Sequence, residues 1–195
     1  MILLSSCASD SITIQYYKLG GLGKKPQLIE YDKNRVQQPL ILIEPIALAD
    51  FLRQPGLVIQ KTDHQLQISN IHRWSENLER ATSRIIRKQL ENSLPKYRYE
   101  NQGIQWKNEP IYRLNVELEQ FHIVNHQKQV VTSGQYWLFG KDKKLILKRT
   151  FNFEEPLSQN GYEHAVSKLE LILNKLSKQI AESVVAIPFP LMSKE

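Results

Sequence analysis

Between Tyr162 and Val184 the apolar residues Tyr162, Val166, Leu169, Leu173, Leu176, Ile180 and Val184 recur at steps of three and four. The spacing predicts an amphipathic helix from about Tyr162 to Val185 with a single apolar stripe. A stripe on one side needs another element to cover it, and this limits the fold more than any other feature of the chain. Three upstream segments can supply the cover. Tyr112, Leu114, Val116 and Leu118 alternate with Arg113, Asn115, Glu117 and Glu119. Gln129 to Phe139 reads as the next strand and turns at Gly140-Lys141-Asp142. Leu145 to Glu154 follows, with Leu147, Phe151 and Phe153 on one face and Lys148, Thr150 and Asn152 on the other. Such alternation predicts an antiparallel sheet with one wet face.

The first half of the chain adds further elements. SITIQYYKL (11–19) and LILIEPI (40–46) read as strands, and ALADFLRQPG as a short helical turn closed by Pro55-Gly56. LVIQK and LQISN flank Thr62-Asp63-His64-Gln65 as a hairpin. Trp74, Leu78, Ala81, Ile85, Leu90 and Leu94 predict a helix over 74–94, capped by Ser75 and stopped by Pro95. The expected class is α+β: a two-layer sandwich, with both amphipathic helices on one face of an antiparallel sheet. Residues 12–186 form one domain in this reading, 1–11 a tether, and 187–195 an extended or disordered tail.

The chain has 195 residues and a net charge of +6. No apolar run approaches the ~20 residues that cross a bilayer as a helix. The glycines at 20, 21 and 23 do not make a phosphate loop, because Gly23-Lys24 is followed by Lys25. His122 and His126 have the spacing of a helical zinc pair but sit on a predicted strand, which separates them by about 13 Å. No nucleophile motif, acidic pair at catalytic spacing or zinc signature is legible, so neither a catalytic site nor a metal or other cofactor is expected. Arg80, Arg84, Arg87 and Lys88 line part of the first helix, but Glu79 and Glu91 interrupt them. That pattern fits a solvated face better than a nucleic-acid surface, although a basic polyanion-binding module is the alternative reading.

The single cysteine, Cys7, follows Leu4-Ser5-Ser6. An aliphatic residue, two small residues and a cysteine are the pattern of a bacterial lipobox, in which the cysteine takes lipid and becomes the mature N-terminus. The four residues ahead of the serines leave no room for a basic and an apolar signal region, so the signal segment is expected upstream. An ordinary small residue at a frayed terminus is the other reading of Cys7.

Several segments taken in order resemble one family. They are Ile43-Glu44-Pro45 with LADFLRQPGLVIQ, NIHRWSENL, LNVELEQF, VVTSGQYWLF and FNFEEPLSQNGYEHAV. Over about residues 12–185 the chain resembles the PqiC/YmbA group of bacterial lipoproteins, auxiliary components of ABC-type transport systems. The resemblance implies lipidation at Cys7 and an envelope location. It implies work beside an MCE-domain tunnel protein and an inner-membrane permease-like protein in lipid transport between membranes, with no enzymatic role. Ala8 after the cysteine, where Asp favours inner-membrane retention, points to the outer membrane facing the periplasm. Docking at a symmetric tunnel end implies a homo-oligomer, and no nucleic acid is expected. Most of the motif signal is packing: Leu48, Phe51 and Leu52 seat the short turn, Trp74 seats the first helix, and Trp137 and Phe139 alternate into the core. Gln54-Pro55-Gly56 and His72-Arg73 are the pieces expected to be exposed for docking or self-association.

Overall fold

A computed structural model describes residues 13–21, 38–102 and 109–187. Its organising element is a long strand, β7 (Tyr112–Val124). Along one edge β7 pairs antiparallel with β8 (Gln129–Gly140), which pairs antiparallel with β9 (Leu145–Pro156). Along its other edge lie three short strands, all parallel to it. β2 (Leu40–Ile43) sits beside Tyr112 to Leu114, β3 (Ala47–Leu48) beside Glu117 and Leu118, and β4 (Gly56–Thr62) beside Ile123 and Val124. Residues 40 to 60 thus run the length of β7 in three steps.

The remaining strands extend this second half. β5 (Gln65–Trp74) forms a hairpin with β4, and β1 (Gln15–Tyr17) lies parallel on β5. β6 (Arg98–Asn101) lies parallel on the far side of β2. Among the described residues the result is a mixed α/β fold with one nine-stranded sheet and two helices, α1 (Leu78–Ser93) and α2 (Tyr162–Val185).

The expected antiparallel sheet is corrected here, since five of the eight strand pairings are parallel. Alternation reveals which face a residue takes and carries no strand direction. The parallel half does carry its own sign: all four residues of β2, LILI, are buried, the continuous apolar run of a strand covered on both faces.

α2 packs against β7, β8 and β9, and α1 against α2, β6 and the 3-10 turn Asp50–Arg53. One buried cluster joins the α2 stripe, Leu78, Ala81, Ile85 and Ile86 of α1, and inward residues of the sheet. Tyr136 on β8 meets Ser183 of α2 through hydroxyl groups 2.8 Å apart. The buried carboxylate of Glu155 on β9 binds Lys168 at 3.8 Å and also pairs with Lys175, so two lysines of α2 converge on one strand position.

A bulge divides β7. Up to Leu118 the even-numbered residues face the cluster; between Leu118 and Gln120 the register shifts, and Phe121 and Ile123 take over that side. Opposite the bulge stands Gly134, with φ +157°. A Cβ there would lie 2.0 Å from the Glu117 carbonyl oxygen, so only glycine lets the two backbones meet.

Two further expectations change. The helix does not begin at Trp74 under a Ser75 cap. β5 continues through Trp74, whose N–H donates to Pro55 O at 2.8 Å, and Ser75 N–H donates to Tyr17 O at 2.7 Å. Asn77 is the cap, its Oδ1 accepting from Arg80 N–H at 3.1 Å. Trp74 remains core, with its ring 6.1 Å from Phe121. Trp137 and Phe139 are not core residues. Their neighbours Tyr136 and Leu138 are buried, whereas Trp137 and Phe139 are half-buried on the opposite face, with Lys148 Nζ 5.4 Å from the Trp137 ring. Leu48 and Leu52 are buried and Phe51 half-buried, as packing around the short turn requires.

Candidate docking site

The two segments expected to be exposed are brought together. Gly56 stands opposite Arg73 across the β4–β5 hairpin, and Pro55 O accepts from Trp74 N–H. They do not form one solvent face, however. Gln54 and Pro55 are exposed, while Gly56 is buried, and a Cβ on it would meet Ser69 O at 2.2 Å. Strand alternation then sends Arg73 to one side of the sheet and His72, with Trp74, to the other. Cys7 lies outside the described residues.

His72 is the centre of a small polar and aromatic cluster. Its ring stacks on Tyr162, the first residue of α2, with centroids 3.7 Å apart and planes at 19°. Its Nδ1 is 3.0 Å from the Tyr17 hydroxyl, which itself donates to Gln15 Oε1 at 2.8 Å. A phenol has one proton, so with that proton on Gln15 the bond to His72 is donated by Nδ1–H. Burial pushes the Tyr17 phenol above its ordinary pKa, helped by Tyr162 and Glu163, so it stays a neutral donor.

The turn Gln159–Tyr162 separates two hollows. One, of about 560 Å³, is lined by Gln15, Tyr17, His72, Glu163, His164 and Ser167. The other, of about 280 Å³, has an apolar floor of Ile59, Ile123 and Leu157 beneath Lys61, Asn125 and Lys128. Together they make a concave end of the molecule with aromatic, apolar and oppositely charged groups, suited to holding a protein segment by shape and hydrogen bonds. Sequence reasoning did not single out Tyr17, Lys61 or Lys128, and it assigned Tyr162 only to the helix stripe. Tyr17 reaches the site through the pairing of β1 with β5, a contact across more than fifty residues that no local pattern announces.

The histidines at 122 and 126 do not converge. His122 is buried on β7, on the side away from the helices, with Nε2 3.0 Å from Gln60 Oε1; burial lowers its pKa to about 4. Nε2 of His126 is 3.7 Å from Asp63 Oδ1 at the hairpin turn. The basic helix face is partly neutralised, because Arg84 pairs with Glu76 and Arg87 binds Glu91 at 2.8 Å.

Comparison with known proteins places these features in context. The sequence model of a family described as ABC-type transport auxiliary lipoprotein component matches residues 22–181. The chain is 26% identical over 185 residues to the intermembrane transport lipoprotein PqiC of Escherichia coli strain K12, covering 95% of this chain and 94% of that protein. A crystal structure of an uncharacterized protein shares 26% identity and superposes with a TM-score of 0.73, covering 88% of this chain and 99% of the other. Protein XCC0632 from Xanthomonas campestris, at 16% identity, matches with a TM-score of 0.63 over 76% of this chain and 84% of its own, a likeness of fold alone.

Proposed function

We propose a function from one premise: the chain belongs to the family of ABC-type transport auxiliary lipoprotein components. This is a family of transport accessories, not of enzymes. The chain is read as a lipid-anchored accessory subunit of an intermembrane transport system in a bacterial envelope. The observation that carries this reading is the end-to-end likeness to an intermembrane transport lipoprotein.

In the finer reading Cys7 carries the lipid, and the anchor sits in the outer membrane with the domain facing the periplasm. The domain docks an MCE-domain tunnel protein, itself served by an inner-membrane permease-like protein, through the concave end around His72 and Tyr162. A closed homo-oligomer would match the symmetric end of a tunnel. Lipid is the one group the protein needs; no other cofactor enters the reading.

Two measurements test it. Intact mass of protein extracted from native membranes should begin at a lipid-modified Cys7. The full chain carrying Cys7→Ser, examined by light scattering with and without the cognate tunnel protein, should form an oligomer that binds it. Replacing Tyr162 with Ser should weaken that binding about tenfold, the loss of one aromatic anchor at an interface. A strict monomer indifferent to the tunnel protein, or an unmodified native N-terminus, overturns the corresponding part of the reading; salt-sensitive nucleic-acid binding would restore the polyanion alternative.

A further inference from the structure

β1 and β5 present opposite characters on their two faces. Tyr17, His72 and Trp74 point toward α2 and the core. Ile14, Tyr16, Ile71 and Arg73 take the other side; the register shift between the pairs Gly56/Arg73 and Val58/Ile68 reverses the alternation of β5, so Ile68, opposite Val58, and Leu66, opposite Gln60, continue that side. This outer face is unusually apolar. Among the described residues, nine large apolar side chains are more than a third exposed, and five of them stand here. They are Ile14, Tyr16, Leu66, Ile68 and Ile71, with Tyr16 the most exposed at 63%.

The charge pattern is equally one-sided. β1, β4 and β5 contain no aspartate or glutamate. Arg73 lies among the outer residues, and exposed Lys18 follows Tyr16 by one alternation step. The acids that flank β4 and β5 in sequence, Asp63 at the hairpin turn and Glu76 after β5, pair with His126 and Arg84. Exposed aliphatic groups, a tyrosine and long cationic side chains without carboxylates are the composition that settles at lipid headgroups.

We propose that this outer face of β1 and β5, centred on Tyr16 and Ile68, lies on an anionic lipid bilayer. The proposal rests on the lipid-anchor reading of Cys7 for its geometry. Ile14 follows Cys7 by seven positions, and a fully extended chain of that length spans at most about 25 Å. An anchored Cys7 therefore keeps this face close to the membrane, within reach of the short-range attraction between its cations and anionic headgroups. The inner face of the same two strands, with His72 and Tyr17, is then turned away from the lipid and toward a partner.

The test uses the full chain carrying Cys7→Ser, so that no lipid contributes. Flotation with phosphatidylglycerol vesicles should recover the protein, and phosphatidylcholine vesicles should not. The Tyr16→Ser/Ile68→Ser double variant should bind phosphatidylglycerol about tenfold less, for the loss of two membrane-facing apolar groups. A control, Leu145→Ser/Ile146→Ser, changes exposed apolar residues on β9 and should bind as the parent does. All four positions are exposed, so melting temperatures should be unchanged. Equal binding to both lipids, or a double variant that binds like the parent, overturns the proposal. So does a concentration-dependent dimer that the double variant abolishes, since the face would then belong to a second copy. Lipidation is judged separately from the native mass. Vesicle binding with an unlipidated native chain would leave the face a membrane surface and remove only the anchor.

Discussion

The two edges of β7 are built on different principles. Toward β8 the ladder is antiparallel and runs from Tyr112 to Val124, interrupted only by the bulge at Leu118/Gln120. Toward residues 40–60 it consists of three parallel patches of two or three positions each. The first edge is closed by short turns and needs only its own neighbours. The second is held by burial: Leu40 to Ile43 and Leu57 to Ile59 are each at most 5% exposed. A strand can therefore draw its order from local pairing on one side and from the distant core on the other.

The sharpest way to break the antiparallel edge is Gly134→Ala. The added Cβ meets the Glu117 carbonyl at 2.0 Å from a backbone at φ +157°, so clash and strain act together. The expected cost is about 4 kcal/mol or more. Gly56→Ala, in the β4–β5 hairpin that extends the parallel half, meets Ser69 O of β5 at 2.2 Å without a left-handed φ and should cost about 2–3 kcal/mol. Urea midpoints compare the two; equal losses would mean that the β7–β8 and β4–β5 pairings are equally rigid.

The tryptophans provide the next contrast. Trp74→Ala removes a buried ring at the end of β5 and should cost about 3–4 kcal/mol. His122 tests the seam between the halves, since it belongs to β7, pairs with Val131 of β8 and binds Gln60 of β4. Its folded pKa of about 4 lies below the unfolded value, so the unfolded chain takes up a proton first as pH falls. Stability should be level above about pH 7.5 and decline by roughly 3 kcal/mol toward pH 4. His122→Gln should flatten that slope in urea titrations repeated at each pH. The smallest effect is expected for Trp137→Ala: a half-buried outer-face ring with a cation–π contact to Lys148 should cost less than about 1 kcal/mol. A loss as large as that of Trp74 would place Trp137 in the core after all.

The same contrast explains what could be read from the chain. α2 was legible to its ends because a one-sided stripe repeats over twenty-four residues, and β7, β8 and β9 were legible as strands from alternation. Four-residue β6 and two-residue β3 are too short for any period to show, and parallel pairing leaves no turn between partners. The phase of β8 was misread because Trp137 and Phe139 look like core by residue type, whereas Tyr136 and Leu138 take the buried side. At the candidate site, His72 was found as part of a motif. Its partners Tyr17 and Tyr162 come from opposite ends of the chain and meet only in the finished fold.

The three-step run of residues 40–60 along β7 has a consequence in time. These strands precede their partner by roughly seventy residues, and loop closure over such separations is slow. A chain emerging N-terminus first presents Leu40–Ile43 long before Tyr112–Leu114 exists to receive it. The β7–β8–β9 meander can form within its own span, and only then does an open edge await the older segment. Before β7 exists, β6 is the one sheet partner of Leu40–Ile43 among the described residues, so this aliphatic strand is paired on one edge while its other edge waits. Leu-Ile-Leu-Ile thus keeps an open, fully aliphatic edge until residues 112–114 have been made.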